Sequence, residues 1–340
     1  MLTKNAKDHA IIVLICAAVL ASTTIVLEAL SRGITKTESI DRQYSTYVAD
    51  ADVGFLNKPH SVSRGASGTG EFQYEYRHNS MGFRDGEHAA AKPPGVFRIL
   101  GLGDSFTYGA GAGFNEIYLT VLGKRLSSAA RPVEVINAAT TFSWPAMEHK
   151  VFEKYGKRFS PDLVIVGFLP NDIIDTKLSS LAVTVGADGY LKRDGADMGF
   201  LGRWFHAHSS LWKRMQFSLF QFKSRIYWKD IYAGFFLTDD AWSRIEADFL
   251  ALKKSVARIG AQLVIVYIPQ QGPWRDYHRK PEARLLKWAE VNGVLVIPTF
   301  DAFRKAEAAG EKLFYVANGH CTPAGHRVVA EAIAAKLHLP

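Results

Sequence analysis

The pattern of apolar and polar positions divides the chain into three regimes. Ala10 to Leu27, AIIVLICAAVLASTTIVL, carries no charge and approaches the ~20 residues that cross a bilayer. Ser31 to Pro94 is mixed. Within it SVSRGASGTG, Ser61 to Gly70, reads as a loop, because glycine supplies positive φ and serine competes for backbone hydrogen bonds. EFQYEYRHNSMGFRD alternates enough for a short strand, followed by a turn at Asn79–Gly82. From Gly95 onward, short apolar runs alternate with stretches of helical spacing. VFRILGLG (Val96–Gly103), VEVINAA, PDLVIVGFLP, AQLVIVYIP (Ala261–Pro269) and GVLVIPTFD (Gly293–Asp301) predict buried strands. Asn115–Ala129, with Ile117, Leu119, Leu122 and Leu126 near helical spacing, AMEHKVFEKYGKRF, and Pro323–Leu337 predict helices. Strands alternating with helices give an α/β fold with a mostly parallel central sheet covered on both faces. In such sheets ligands gather at the carboxyl ends of the strands, which draws attention to Gly103–Ser105, Asn137–Phe142 and Asn171–Asp172.

Two segments lie outside that alternation. Lys4 and Lys7 precede the apolar stretch, so residues 1–9 are expected to be a cytoplasmic tail and 10–30 a transmembrane signal anchor. The rest would face the periplasm or cell exterior. Cleavage after Ala21 is the competing reading, but the apolar run continues past it, and Ile15 before Cys16 is too large for a lipoprotein signal. Residues 31–94 then form a stem and leading segment, and 95–340 one domain. Its insertion at about 179–242 holds Trp204, Phe205, Trp212, Phe217, Phe220, Phe222, Tyr227, Trp228, Tyr232, Phe235 and Phe236 among Lys213, Arg214, Lys223, Arg225 and Lys229. The expectation is a helical insertion whose aromatics pack on the domain; a membrane-surface patch and a substrate-gripping cap are the alternatives.

Composition changes this picture little. The 340 residues are 48% hydrophobic, enough for a large core, and the net charge is +8. The basic residues are scattered in pairs such as Lys124–Arg125, which suits a solvated surface near an anionic membrane better than nucleic-acid binding. Cys16 and Cys321 are too differently placed for an intrachain disulfide, and no His/Cys/Asp spacing indicates a metal site. No cofactor is expected.

ILGLGDSFTYGAGAG, Ile99 to Gly113, holds the candidate chemistry. It misses the dinucleotide pattern, because Phe106 stands where the third glycine belongs, and it lacks the Gly-Lys-Ser/Thr of a phosphate loop. Ser105 remains as a candidate nucleophile. A serine needs a base within hydrogen-bond reach and donors for the developing oxyanion. His320, before the last helix, and Asn171, after the third strand, can supply them. Each also has a plainer reading: Ser105 as a helix N-cap, Asn171 as a turn cap, His320 and His326 as surface or helix-start residues.

GDSFTYGAG, PDLVIVGFLPNDIID and NGHCTPAGHRVVAEAI, in that order and with HNSMGFRD leading in, resemble the SGNH/GDSL hydrolase superfamily, especially its membrane-anchored bacterial members. The likeness runs from about residue 50 to the C-terminus. It implies a three-layer flavodoxin-like sandwich and a serine esterase with Ser105 as nucleophile and His320 as general base and acid. The oxyanion hole would be built from Ser105, Asn171 and position 142. It also implies three departures. Phe142 stands where a glycine usually lends its N–H, and Leu169 replaces a glycine two before Asn171. Asn318 and Ala317 occupy the places where an aspartate normally precedes the histidine. Three arrangements are therefore open: Asn318 or a carbonyl orients His320, another carboxylate such as Asp172 or Asp301 substitutes, or activity is nearly lost. His326 is read as structural, and Cys321 has no indicated base. The function expected is ester hydrolysis, with O-acetyl groups on envelope or exported polysaccharide as the substrate. An O-acyltransferase and a catalytically weakened glycan-binding or scaffold protein are the alternatives, and protein partners are unknown.

Overall fold

The protein is described from a computed structural model, over residues 4–34, 45–67, 69–178, 183–187, 189–193, 204–205, 208–212, 215, 218, 239–272 and 279–337. Of the basic and aromatic insertion residues named above, only Trp204, Phe205 and Trp212 fall among them. The chain forms two compact units: residues 1–41 with 196–228, and residues 42–195 with 229–340.

In the first unit, helix α1 (Lys4–Ile34) contains an exposed apolar span, Ile11–Arg32, of mean hydropathy 2.5. At ~1.5 Å per residue its 22 residues match a hydrocarbon core of about 30 Å. A membrane anchor and a signal sequence share these properties. Near its end Glu28 pairs with Arg32 (2.8 Å) and accepts hydrogen bonds from Ser209 Oγ and the N–H groups of Ser210 and Leu211. The Trp204 and Phe205 rings meet edge to face at 5.2 Å.

The second unit is built on five parallel strands. In chain order the unit runs β1 (Tyr47–Asp50), β2 (Gly54–Asn57), β3 (Val62–Ala66), β4 (Gln73–Arg77), β5 (Phe97–Gly103), α2 (Ser105–Tyr108), α3 (Tyr118–Leu126), β6 (Val133–Asn137), α4 (Pro145–Val151), β7 (Leu163–Phe168), α5 (Asn171–Leu178) and the short antiparallel pair β8 (Val183–Val185) and β9 (Leu191–Arg193). Further along the chain come α6 (Asp239–Arg258), β10 (Gln262–Tyr267), α7 (Lys280–Asn292), β11 (Leu295–Pro298), α8 (Phe300–Ala308) and α9 (Pro323–Lys336). The sheet order β11-β10-β7-β5-β6 is the flavodoxin-like one. α3 packs against α9, whereas α4 and α5 pack against α6. Ile99, Leu100, Leu163, Val164, Ile165 and Val166 are fully buried, as continuous apolar strands sandwiched between helices must be. The strand order reverses between β5 and β7, and in open sheets of this kind ligand sites lie outside the carboxyl ends of the strands at that switch point.

The leading segment is part of this unit. Ser61–Gly70, expected to be a loop, contains strand β3, which pairs antiparallel with β4. The glycine responsible for the loop reading is the reason the strand fits. A Cβ on Gly65 would lie 2.7 Å from the Tyr74 hydroxyl, so the opposing ring occupies the space of the missing side chain. Asn79 closes the expected turn through Gly82 N–H to Asn79 O at 3.0 Å. Arg84 is buried and donates to the carbonyls of Tyr108, Gly109 and Ala112, bracing the loop that follows α2.

Candidate active site

Strand β5 ends at Gly103, whose φ of 146° favours glycine. A Cβ there would fall 2.2 Å from Thr107 Oγ1 and 3.0 Å from the Gly167 carbonyl, so the chain can turn into α2 only without a side chain. Asp104, not Ser105, is the N-cap: its Oδ1 accepts the Phe106 N–H at 2.9 Å. Ser105 is the first residue of the helix, half-buried, with a main-chain N–H that has no intrahelical acceptor by position.

His320 arrives from the loop before α9. That loop is closed by Tyr315 N–H to His320 O (2.9 Å), Gly319 N–H to Tyr315 O (2.7 Å) and a bridge between Phe314 and Cys321. His320 Nε2 lies 2.8 Å from Ser105 Oγ and its Nδ1 lies 2.5 Å from Asn318 Oδ1. The His320 main-chain N–H also points at Oδ1 (3.4 Å), which fixes that atom as the acceptor oxygen. Nδ1 therefore carries the proton, and the Nε2 lone pair faces the serine hydroxyl. Phe106 packs on the imidazole at 4.9 Å. The residue is half-buried, and desolvation of the ring pulls its pKa down to about 4. It is thus neutral and able to accept a proton through the neutral pH range.

Asn171 opens α5, and its Nδ2 donates to Asp104 Oδ2 at 2.8 Å. It does not act as a turn cap. One amide hydrogen is held by the buried Asp104, which leaves the geometry of the second set by the first. Asp172 turns its carboxylate to the Leu169 N–H (2.8 Å), and Asp301 is exposed and paired with Arg279 and Arg304. Asn318 is the side chain standing at His320 Nδ1. Position 142 belongs to the loop after β6, tied to the β5 exit by Thr140 N–H to Gly103 O at 3.1 Å. Ser143 N–H to Thr140 O closes a turn with Phe142 third, at φ 62°, a place and angle that favour glycine. A side chain there costs about 1–2 kcal/mol, and the ring is left 38% exposed. Phe142→Gly should accordingly leave the melting temperature unchanged within a few degrees. A large drop would show that the ring supports the fold.

The other candidates are silent. His326 is buried, lies 3.4 Å from the Tyr118 N–H through Nδ1 and stacks on that ring at 6.2 Å. Cys321 is buried and its thiol is pushed far up by that burial. Among the described residues no group of His, Cys, Asp and Glu could hold a metal ion. Asp104 and Glu71 are site neighbours that sequence reasoning did not single out; Asp104 lay in plain view inside the Gly-Asp-Ser motif.

A serine, a neutral imidazole and an amide acceptor thus lie together at the switch point of a flavodoxin-like sheet. The profile of the GDSL-like lipase/acylhydrolase family matches residues 102–328, more than half of the sequence, and the chain belongs to that family. No curated protein matches it. Among solved structures it is similar to a member of the lipolytic G-D-S-L family from Veillonella parvula (12% identity, 71% of this chain and 98% of that one, TM-score 0.43). A lipase from a goat rumen metagenome gives 12% identity over 70% and 96%, with TM-score 0.46. A catalytic mutant of an acetylxylan esterase from Geobacillus stearothermophilus gives 14% over 70% and 92%, with TM-score 0.42.

Proposed function

We propose that the protein is a serine ester hydrolase. The observation that carries this reading is the unbroken line Ser105 Oγ–His320 Nε2 and His320 Nδ1–Asn318 Oδ1, at 2.8 and 2.5 Å. Ser105 Oγ attacks the acyl carbonyl carbon while its proton passes to Nε2. The oxyanion is met by the Ser105 N–H and the second amide hydrogen of Asn171, with the N–H of position 142 as a further donor. Nε2 then gives the proton to the departing alkoxide, leaving an acyl-serine. Water attacks this ester, its proton goes to Nε2, and collapse of the intermediate returns a proton to Oγ and releases the acid. If a sugar hydroxyl replaces water, the same site transfers the acyl group. O-acyl groups on envelope or exported polysaccharide are the substrate class, because a catalytic domain tethered outside the membrane by α1 meets them.

The neutrality of Asn318 favours a second reading, a weakened member of the family that binds a glycan or scaffolds an assembly. One experiment separates them. The full chain in detergent and its Ser105→Ala variant are treated with a fluorophosphonate and weighed intact. A single adduct on the parent, absent from the variant, is the expected result. A folded parent that takes no adduct would refute the esterase reading.

A further inference from the structure

The catalytic loop is held from outside the sheet by a carboxylate that lies before the family match begins. Glu71, at the entry to β4, receives the main-chain N–H groups of Ala317 (3.1 Å to each oxygen) and Asn318 (2.7 Å to Oε2). Glu71 is itself held: Thr69 Oγ1 donates to its Oε2 at 2.9 Å, and Ser67 Oγ accepts its main-chain N–H at 3.0 Å. The neighbouring Phe72 packs on Tyr315 at 4.7 Å, and the Tyr315 hydroxyl donates to Gly111 O. Partial burial pushes the Glu71 carboxyl upward, but the N–H groups of Ala317, Asn318 and Val316 with the Thr69 hydroxyl outweigh it and hold it below the usual range. It is therefore ionised when the serine works.

We propose that Glu71 is the positioning residue of this site: by gripping the backbone at 317–318 it aims the Asn318 amide oxygen at His320 Nδ1. The proposal rests on the esterase reading above. An aspartate beside the histidine would orient itself, because a charge-assisted hydrogen bond is roughly twice as strong as a neutral one. The neutral Asn318–His320 pair lacks that drive, and its acceptor must be fixed by the main chain that carries it. The carboxylate missing from the loop is compensated, in geometry and not in charge, by one on the hairpin.

The test is a double-mutant cycle in the full chain in detergent, read as the second-order rate of fluorophosphonate attack at Ser105. Glu71→Ala is expected to slow the parent about 10-fold, as misplacement of a catalytic group does. The same change in an Asn318→Asp background should cost about 2-fold or less, because the ion pair no longer needs the grip. Equal losses in both backgrounds, or a loss under about 2-fold in the parent, would reduce Glu71 to a structural contact and overturn the proposal. If Glu71→Ala does not fold, the near-isosteric Glu71→Gln replaces it, with a smaller loss and the same comparison. A parent that takes no adduct refutes the esterase reading instead. The His320 Nδ1–H proton resonance of histidine-labelled protein then reports on Glu71 alone. Its shift or loss on substitution upholds the positioning, and an unmoved signal rejects it.

Discussion

Asn318→Asp is expected to raise the rate of acyl transfer by about 100-fold. In chymotrypsin-type proteases, exchanging the corresponding aspartate for asparagine costs about 10⁴ in kcat, chiefly because the amide forces the wrong imidazole tautomer. Here the tautomer is already right, because Asn318 Oδ1 and not its NH₂ faces Nδ1. In the proposed mechanism only the share due to charge is missing: the acceptor at Nδ1 is a neutral amide oxygen, which stabilises the imidazolium less than a carboxylate would. The substitution carries a second, opposite signature. The base must be neutral, so kcat/KM falls as pH drops through the His320 pKa, which burial holds at about 4 in the parent. A carboxylate at 318 favours the charged ring and moves that limb upward. The variant should thus be faster at neutral pH and fail earlier in acid, as a pH–rate profile from 3.5 to 8 would show. A slower variant with an unmoved acid limb would mean that the amide makes a contact the carboxylate cannot replace.

Asn171→Ala is expected to lower kcat by about 10²–10³, the usual cost of one oxyanion donor, with little change in KM. It should also lower the unfolding free energy by about 1–3 kcal/mol, since Asp104 keeps its burial and loses a donor. Turnover and a thermal melt on the same preparation separate the effects. A loss of stability with unchanged kcat would assign Asn171 to the scaffold only.

The parallel sheet was legible because strands such as LVIVGF are buried on both faces and so read as unbroken apolar runs, flanked by amphipathic helices. The order Ser105, Asn171, His320 pointed to residues that the structure gathers at the switch point, with Asp104 as the link to Asn171. What could not be read was long-range pairing. β3 was hidden by Gly65, whose partner Tyr74 is a tertiary neighbour, and local composition encodes no such partner. Glu71 looked like one more polar residue beside a glycine-rich stretch, and its acceptors' donors lie 246 and 247 positions away. The tautomer-setting direction of the Asn318 amide was equally silent, since either end of the group suits the sequence.

Ser105 and His320 are 215 positions apart, and helix α9, which follows the histidine, is the last of the described elements. A chain emerging N-terminus first can pair β5 with β6 and β7 early, yet in the mechanism proposed above Ser105 stays without its base until residue 320 has been made. Such non-local closure is slow, because loop entropy is spent before any contact repays it. In that mechanism the pairing of Ser105 with His320 is a late event of folding, and a product truncated before residue 320 is expected to be inert.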